Sequence, residues 1–162
     1  MSVQVRDGDI FADPAEVWVN AVNCVGVMNA GIAKQFRQRF PDYFADYYTK
    51  CYHGKLELGR VDYYAVAPTR VAAPPPLFIV SFPTMLNPGE VARGDDLKAG
   101  MKSLKDFCDA YKIDYLAIPA LGCGIGQFDF ANLEDIVLHT FENEMIPEVT
   151  LYRPFDARAA AV

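Results

Sequence analysis

Histidine is almost missing from this chain: its 162 residues hold two, His53 and His139, and neither has a ligand-like neighbour. That scarcity speaks against a zinc site. Paired thiols are missing too, since Cys24, Cys51, Cys108 and Cys123 form no C-x-x-C pair and keep no regular spacing. With no signal peptide, they read as reduced thiols of a cytoplasmic protein. No apolar run approaches the roughly 20 residues that span a bilayer, and no repeats are visible. Positive charge is in the minority, 15 basic against 21 acidic residues, for a formal charge of −6. A chain so balanced does not bind nucleic acid or membranes through net charge. One local cluster runs the other way, Lys34, Arg37 and Arg39, and a solvated helix face explains it most simply.

What is present fits a soluble globular protein: 52% of the residues are hydrophobic and 22% charged. The length suits one domain with a substantial core. We expect that domain over 1–155, with 156–162 as a fraying tail of small residues.

The chain is organised around Val17 to Phe40. Val17-Trp18-Val19 is an apolar run of the kind that forms a buried strand. Asn20 and Asn23 follow, then small residues from Gly26 to Gly31, then Ile32, Phe36 and Phe40 at helical spacing. Strand, glycine loop and helix together point backbone N–H groups and a positive helix end at an anion. An ordinary turn would look the same, because lone glycine loops match by accident.

A second stretch has the same design. Tyr115 to Ile118 is an apolar strand that ends at Pro119 and releases a loop with Gly122, Gly124 and Gly126. Leu133, Ile136, Val137 and Phe141 then form a helical stripe, with Asn132 available as N-cap. Two such loops at the carboxyl ends of two strands would face each other across a crevice. A diphosphate held between two backbone loops is the natural ligand. Glutamate in place of Gly122 or Gly124 should then abolish binding and leave the fold largely intact.

The remaining elements follow in order. Val3 to Arg6 alternates as an edge strand, and Asp7-Gly8-Asp9 turns the chain. Pro41 stops the first helix and Asp42 caps the next, which carries Tyr43, Phe44, Tyr47, Tyr48, Cys51 and Tyr52. Core packing accounts for those aromatics more simply than a stacking surface. Val61 to Ala67 and Leu77 to Phe82 read as strands joined by a proline-rich loop, Thr69 to Pro76. Glu90 to Asp96 is polar and reads as mobile. Leu97, Met101, Leu104, Cys108 and Tyr111 mark an amphipathic helix, and Glu148 to Tyr152 a last strand. Alternating β and α with two adjacent strands predicts an α/β domain of three layers, α/β/α, around a mixed, mostly parallel sheet.

V-N-A-V-N-C-V-G-V-M-N-A-G-I-A-K-Q-F, F-P-T and I-P-A-L-G-C-G-I-G-Q-F-D-F together resemble the macrodomain family, in the right order over nearly the whole chain. Within it they look most like the macrodomain of DarG-type antitoxins and, more distantly, the terminal ADP-ribose glycohydrolases. The resemblance implies ADP-ribose as ligand or product and no cofactor or metal. It puts Asp9 on the adenine amino group with Ile10 as an apolar wall, and Tyr152 near the adenine. Asn20 and Asn23 go near the distal ribose, with Thr84 and Met85. Gly26, Val27, Met28, Gly31 and Ile32 form the first diphosphate loop. Leu121, Gly122, Cys123, Gly124, Ile125, Gly126, Gln127 and Phe128 form the second.

Three positions depart from the resemblance. The lysine that such proteins carry after F-P-T is Met85, and a thioether neither carries a proton nor forms a Schiff base. Asn29-Ala30-Gly31 replaces the usual G-K-G. The acid of the terminal glycohydrolases falls on Gly126. The expected activities are therefore removal of ADP-ribose from DNA or protein, with Asn23 and Asp129 as polar candidates near the ribose; reading of ADP-ribose without turnover; or a phosphatase on ADP-ribose phosphate. Asp129 serves equally as a helix cap. A cysteine nucleophile at Cys24 or Cys123 lacks a nearby histidine to activate it. The expected state is a monomer, with an ADP-ribosyltransferase toxin as a partner and no membrane.

Overall fold

The computed structural model describes residues 2–66 and 74–155. The elements are β1 (Val3–Arg6), a 3-10 turn (Ile10–Ala12), β2 (Val17–Val22), α1 (Gly31–Arg39), α2 (Pro41–Tyr52), β3 (Asp62–Ala65), β4 (Phe78–Pro83), α3 (Gly94–Ala110), β5 (Tyr115–Ile118), α4 (Phe130–Phe141) and β6 (Glu148–Tyr152). Six strands form one sheet in the order β1-β6-β5-β2-β4-β3. Every pairing is parallel except that of β3 with β4. The expected mixed, mostly parallel sheet is present, with β1 at an edge.

Alternation along β2 explains the layers. Val17 and Val19 face one core with α3 and α4, while Trp18 and Val22 face the other with Phe36 of α1 and Tyr43 and Tyr47 of α2. A strand buried on both faces needs apolar residues at consecutive positions. β2 supplies them.

Several local expectations need correction. α4 starts at Phe130 and its cap is Asp129, whose Oδ1 accepts from the Ala131 N–H at 2.9 Å; Asn132 lies inside the first turn. α2 starts at Pro41 behind Phe40, which makes no side-chain cap, and Asp42 lies in the first turn. There its charge suits the positive helix end. β2 runs on to Val22, which takes Asn20 into the sheet. β3 is shorter than expected, Asp62–Ala65, and β4 starts and ends one residue later, Phe78–Pro83; Ala67 and 69–73 of the proline-rich loop lie outside the described residues, as does the tail 156–162. The segment Glu90 to Asp96 is tied down. Ala92 is buried, its N–H donates to the Gly126 carbonyl at 2.9 Å, and α3 has begun by Gly94.

α3 approaches the sheet closely because Gly100 has no side chain. A Cβ there would meet the ring of buried Phe82 on β4, with Cε1 at 2.7 Å. Gly100→Ala should therefore destabilise the protein by about 1–3 kcal/mol through overpacking, although alanine favours a helix interior by about 1 kcal/mol. Urea unfolding of the two proteins checks this; a more stable alanine variant would show that the contact yields freely.

Candidate functional site

Because β1, β6, β5, β2 and β4 run parallel, all their carboxyl ends lie on one edge of the sheet. β2 leads into α1 on one face, whereas β5 leads into α4 on the other. The two exits diverge between adjacent strands, which is where open α/β sheets form a ligand crevice. Loop 1, residues 23–30, and loop 2, residues 119–129, are these exits. Asp9 and Tyr152 stand at the exits of β1 and β6, and Thr84 and Met85 at that of β4.

Loop 1 is built on Asn23. Its Oδ1 accepts from the N–H groups of Val25 (3.1 Å) and Val27 (3.3 Å), and its Nδ2 donates to the Val27 carbonyl at 2.8 Å. The hydroxyl of Tyr47 lies 2.8 Å from its backbone oxygen and 2.9 Å from Oδ1. Burial raises the Tyr47 hydroxyl far above the ordinary tyrosine range, so it stays a donor. The polar atoms of Asn23 thus shape the loop that would hold a ligand. Farther along, Ala30 provides no side-chain cap for α1, which leaves first-turn N–H groups at Gly31 and Ile32 directed outward. Arg37 donates from Nη1 to Asn29 Oδ1 at 3.0 Å and so anchors the middle of the loop to its own helix.

Asn20 does not reach the crevice. It is fully buried on β2, where Nδ2 donates to the Tyr43 hydroxyl at 3.1 Å and lies 3.8 Å from Met28 Sδ. Tyr43 and Ser81 share a 2.6 Å hydrogen bond beyond it. Its Oδ1 is a buried side-chain acceptor without a partner among the described residues. Asn20 is a core residue supporting Met28 of loop 1, which is itself buried.

Loop 2 folds on its own backbone. The Phe128 N–H donates to the Gly122 carbonyl (2.8 Å), Gln127 to Gly124 (3.0 Å) and Cys123 to Ala120 (3.1 Å). The N–H groups of Gly124, Ile125 and Gly126 donate to no acceptor among the described residues. Three adjacent free donors at a strand exit make a concavity for an anion. Gly122 has φ of +74°, and a Cβ at Gly126 would lie 2.7 Å from the Gly122 carbonyl oxygen. Leu121 is buried beneath the loop, whereas Gly124 and Ile125 are exposed. Asp129 keeps one oxygen on the α4 cap.

At the far end, Asp9 Oδ1 accepts from the Phe11 N–H at 3.0 Å and Ile10 is buried behind it. The half-buried Tyr152 ring lies beside Gly8, whose Cβ would be 3.5 Å from Cε1, and its hydroxyl donates to Asp13 Oδ2. Asp9, Ile10 and Tyr152 therefore gather in one place. At the other end, Thr84 is buried, with its N–H on the Val22 carbonyl at 2.9 Å, and Met85 is half-buried. The next carbonyl, of Leu86, accepts from the Cys24 N–H at 3.0 Å, so position 85 is held beside loop 1. Burial pushes the thiols of Cys24 and Cys123 up to about 11, which leaves neither a thiolate near neutral pH.

A groove of about 690 Å³ lies elsewhere, between α3 and α4, lined by lysines and by Ile136, His139 and Thr140. It has no loop backbone. Sequence reasoning missed Tyr47, Ala92 and Tyr43 as supports of the crevice. The signal for Tyr47 and Tyr43 was their place on the apolar stripe of α2; Ala92 had none, being a small residue among polar ones.

The comparisons agree with this fold. A DNA ADP-ribosyl glycohydrolase of Thermus aquaticus is 30% identical over 149 residues, 92% of this chain and 40% of that protein. The chain spans about two fifths of the length of the curated relatives it matches. Among solved structures, the macrodomain of Mycobacterium tuberculosis DarG superposes with a TM-score of 0.86 at 29% identity, covering 94% of this chain and 98% of that one. DarTG of Thermosipho africanus in complex with ADP-ribose gives 0.85 at 25% identity, covering 94% of this chain and 42% of that one. Residues 19–137, from the middle of β2 to the last turns of α4, match the Macro domain, and the chain belongs to that family.

Proposed function

We propose that this chain binds ADP-ribose along the carboxyl edge of its sheet and removes it from a modified target, in the manner of the DarG macrodomains it resembles. The observation that carries the reading is the order of parts along that edge. Asp9 and Tyr152 come first, at β1 and β6, then loop 2 at β5, loop 1 at β2, and Met85 at β4. Four strand spacings cover about 19 Å. Adenine, diphosphate and distal ribose follow each other in the same sequence in the ligand. Free N–H groups in loop 2 and the uncapped end of α1, at the exits of adjacent strands, support a diphosphate between them.

The chemistry asked of the site is addition of water across the bond between the anomeric carbon and the target, which needs no cofactor. Met85 brings no nucleophile and the raised thiols of Cys24 and Cys123 bring none either. The target is DNA on this reading, as in the names of the relatives, and the fused transferase and glycohydrolase of Thermosipho africanus supports a transferase partner. Four unbonded cysteines fit the reducing cytoplasm. A second reading, ADP-ribose recognition without turnover, is favoured by one specific observation, the thioether at position 85.

ADP-ribose should stabilise the fold far more than AMP, by roughly 2.7 kcal/mol at 100 times its dissociation constant. Thermal melts at millimolar ligand check this, and no shift would overturn the assignment. Gly124→Glu tests the cradle alone, because a Cβ there meets nothing within 4 Å. Gly122→Glu does not leave the fold intact as expected, since φ is +74° and a Cβ would press on Ala92 at 2.7 Å. A carboxylate a few ångströms from the diphosphate costs roughly 2–4 kcal/mol, so Gly124→Glu should weaken ADP-ribose at least tenfold at unchanged melting temperature. Calorimetry reads both.

Met85→Lys should raise single-turnover release of ADP-ribose from ADP-ribosylated DNA. A half-buried lysine there would stand beside loop 1 and the distal ribose, partly desolvated. A fast wild type that the lysine slows would show instead that the present arrangement is a catalytic one of its own.

A further inference from the structure

The most exposed large apolar side chain among the described residues is Met145, at 90%, and Ile146 beside it is 54% exposed. Both lie in the segment between α4 and β6. Tyr115, the first residue of β5, is 52% exposed and pairs in register with Glu148. The Glu148 N–H donates to the Asp114 carbonyl at 2.8 Å, which ties the segment to the turn before β5. Tyr115, Met145 and Ile146 therefore gather where β5 and β6 begin. That is the amino edge of the sheet, at the opposite end of these two strands from loop 2 and Tyr152.

The charge around these side chains is one-sided. Glu142, Glu144 and Glu148 lie in the same segment, with Asp114 on the turn beside it and Asp109 at the end of α3. The cations here are Lys112 and Lys105, and Lys105 is already held by Asp109 (3.2 Å) and Glu144 (3.3 Å). α3 and α4 both end at this edge, and the carboxyl end of a helix is negative and favours cations. Yet α3 carries no basic residue in its last turn, and Glu142 is the C-cap of α4. Acids at these places cost stability, and a residue choice that breaks a local rule points to a role outside the fold. The resulting field repels nucleic acid and anionic membranes and attracts a basic polypeptide. Methionine and tyrosine are side chains that protein interfaces favour, and methionine adapts its shape to what it meets.

We propose that Tyr115, Met145 and Ile146 form a docking surface for a basic polypeptide segment that carries apolar anchors. The anchors pack on these three side chains, and the lysines or arginines of the segment meet Asp114, Glu142 and Glu148. The surface stands apart from the crevice at the carboxyl edge, so the partner and ADP-ribose are bound independently.

The test selects a phage-displayed library of short random peptides on the full chain and measures the selected peptides by fluorescence anisotropy. They should be rich in lysine or arginine with apolar residues between, and bind more weakly as salt rises. Met145→Ser combined with Ile146→Ser should weaken them at least about tenfold, and so should Glu142→Lys combined with Glu148→Lys. Melting temperature and ADP-ribose affinity should stay as in the wild type. The two double variants probe the apolar and the charged parts separately, so if one fails to fold the other decides. A selection that returns acidic peptides, uncharged peptides or none overturns the surface. So do basic peptides whose affinity neither double variant changes, because they are seated elsewhere. Loss of ADP-ribose affinity in the folded variants would make the segment a support of the crevice and overturn it as well. A wild type that binds no ADP-ribose brings down the proposed function alone, and the peptides still decide the surface.

Discussion

Burial of β2 on both faces is the constraint on which the rest of this molecule depends. It is hydrogen-bonded to β4 and β5 on its two sides and sandwiched between two apolar layers. That position leaves its single polar side chain, Asn20, in the core. Tyr43 and Met28 satisfy its nitrogen side, while an unpartnered buried acceptor such as Oδ1 costs on the order of 1–3 kcal/mol. The strand then stops at Val22, and the next residue inverts the pattern. The Asn23 side chain makes four hydrogen-bonding contacts within loop 1 and with Tyr47, so the chain leaves the sheet in one defined direction.

The contrast between these two asparagines shows how far the sequence could be read. The apolar runs of β2, β4 and β5 and the stripes of α3 and α4 were legible because burial on a sheet or a helix face demands them. Both glycine loops were legible because few other residues tolerate their geometry. The place where β2 ends was not. Asn20 and Asn23 are the same residue three positions apart, and only the extension of the strand to Val22 puts one in the core and the other in the loop. The cap of α4 was ambiguous for a similar reason, since Asp129 and Asn132 are both good capping residues and the first turn between them is apolar. Ala92 was illegible because its burial comes from distant loop 2.

The departures from the family pattern are local, and the scaffold around them is intact. At Gly126 the backbone itself explains the residue: the Gly122 carbonyl and Ala92 occupy the space of a side chain. An acid at that position belongs to a loop with a different path. At Met85 nothing in the surrounding contacts demands a thioether; its neighbours Thr84 and Leu86 hold the segment through their backbones.

The parallel edge has a consequence for how such a protein changes over time. On the proposed function, each portion of an extended ligand is met by the exit of a different strand, and neighbouring exits are joined mainly through the sheet. A substitution at the end of β4 can therefore alter the fate of the ligand's far end while the grip on the remainder persists. If a lysine at position 85 brings turnover, as proposed, enzyme and reader stand one residue apart on such a scaffold. Two bonds join exits outside the sheet: Cys24 to Leu86 ties the β2 exit to that of β4, and Ala92 to Gly126 ties the segment after β4 to the loop after β5. A new path for either of the segments bearing Ala92 and Gly126 breaks its bond to the other.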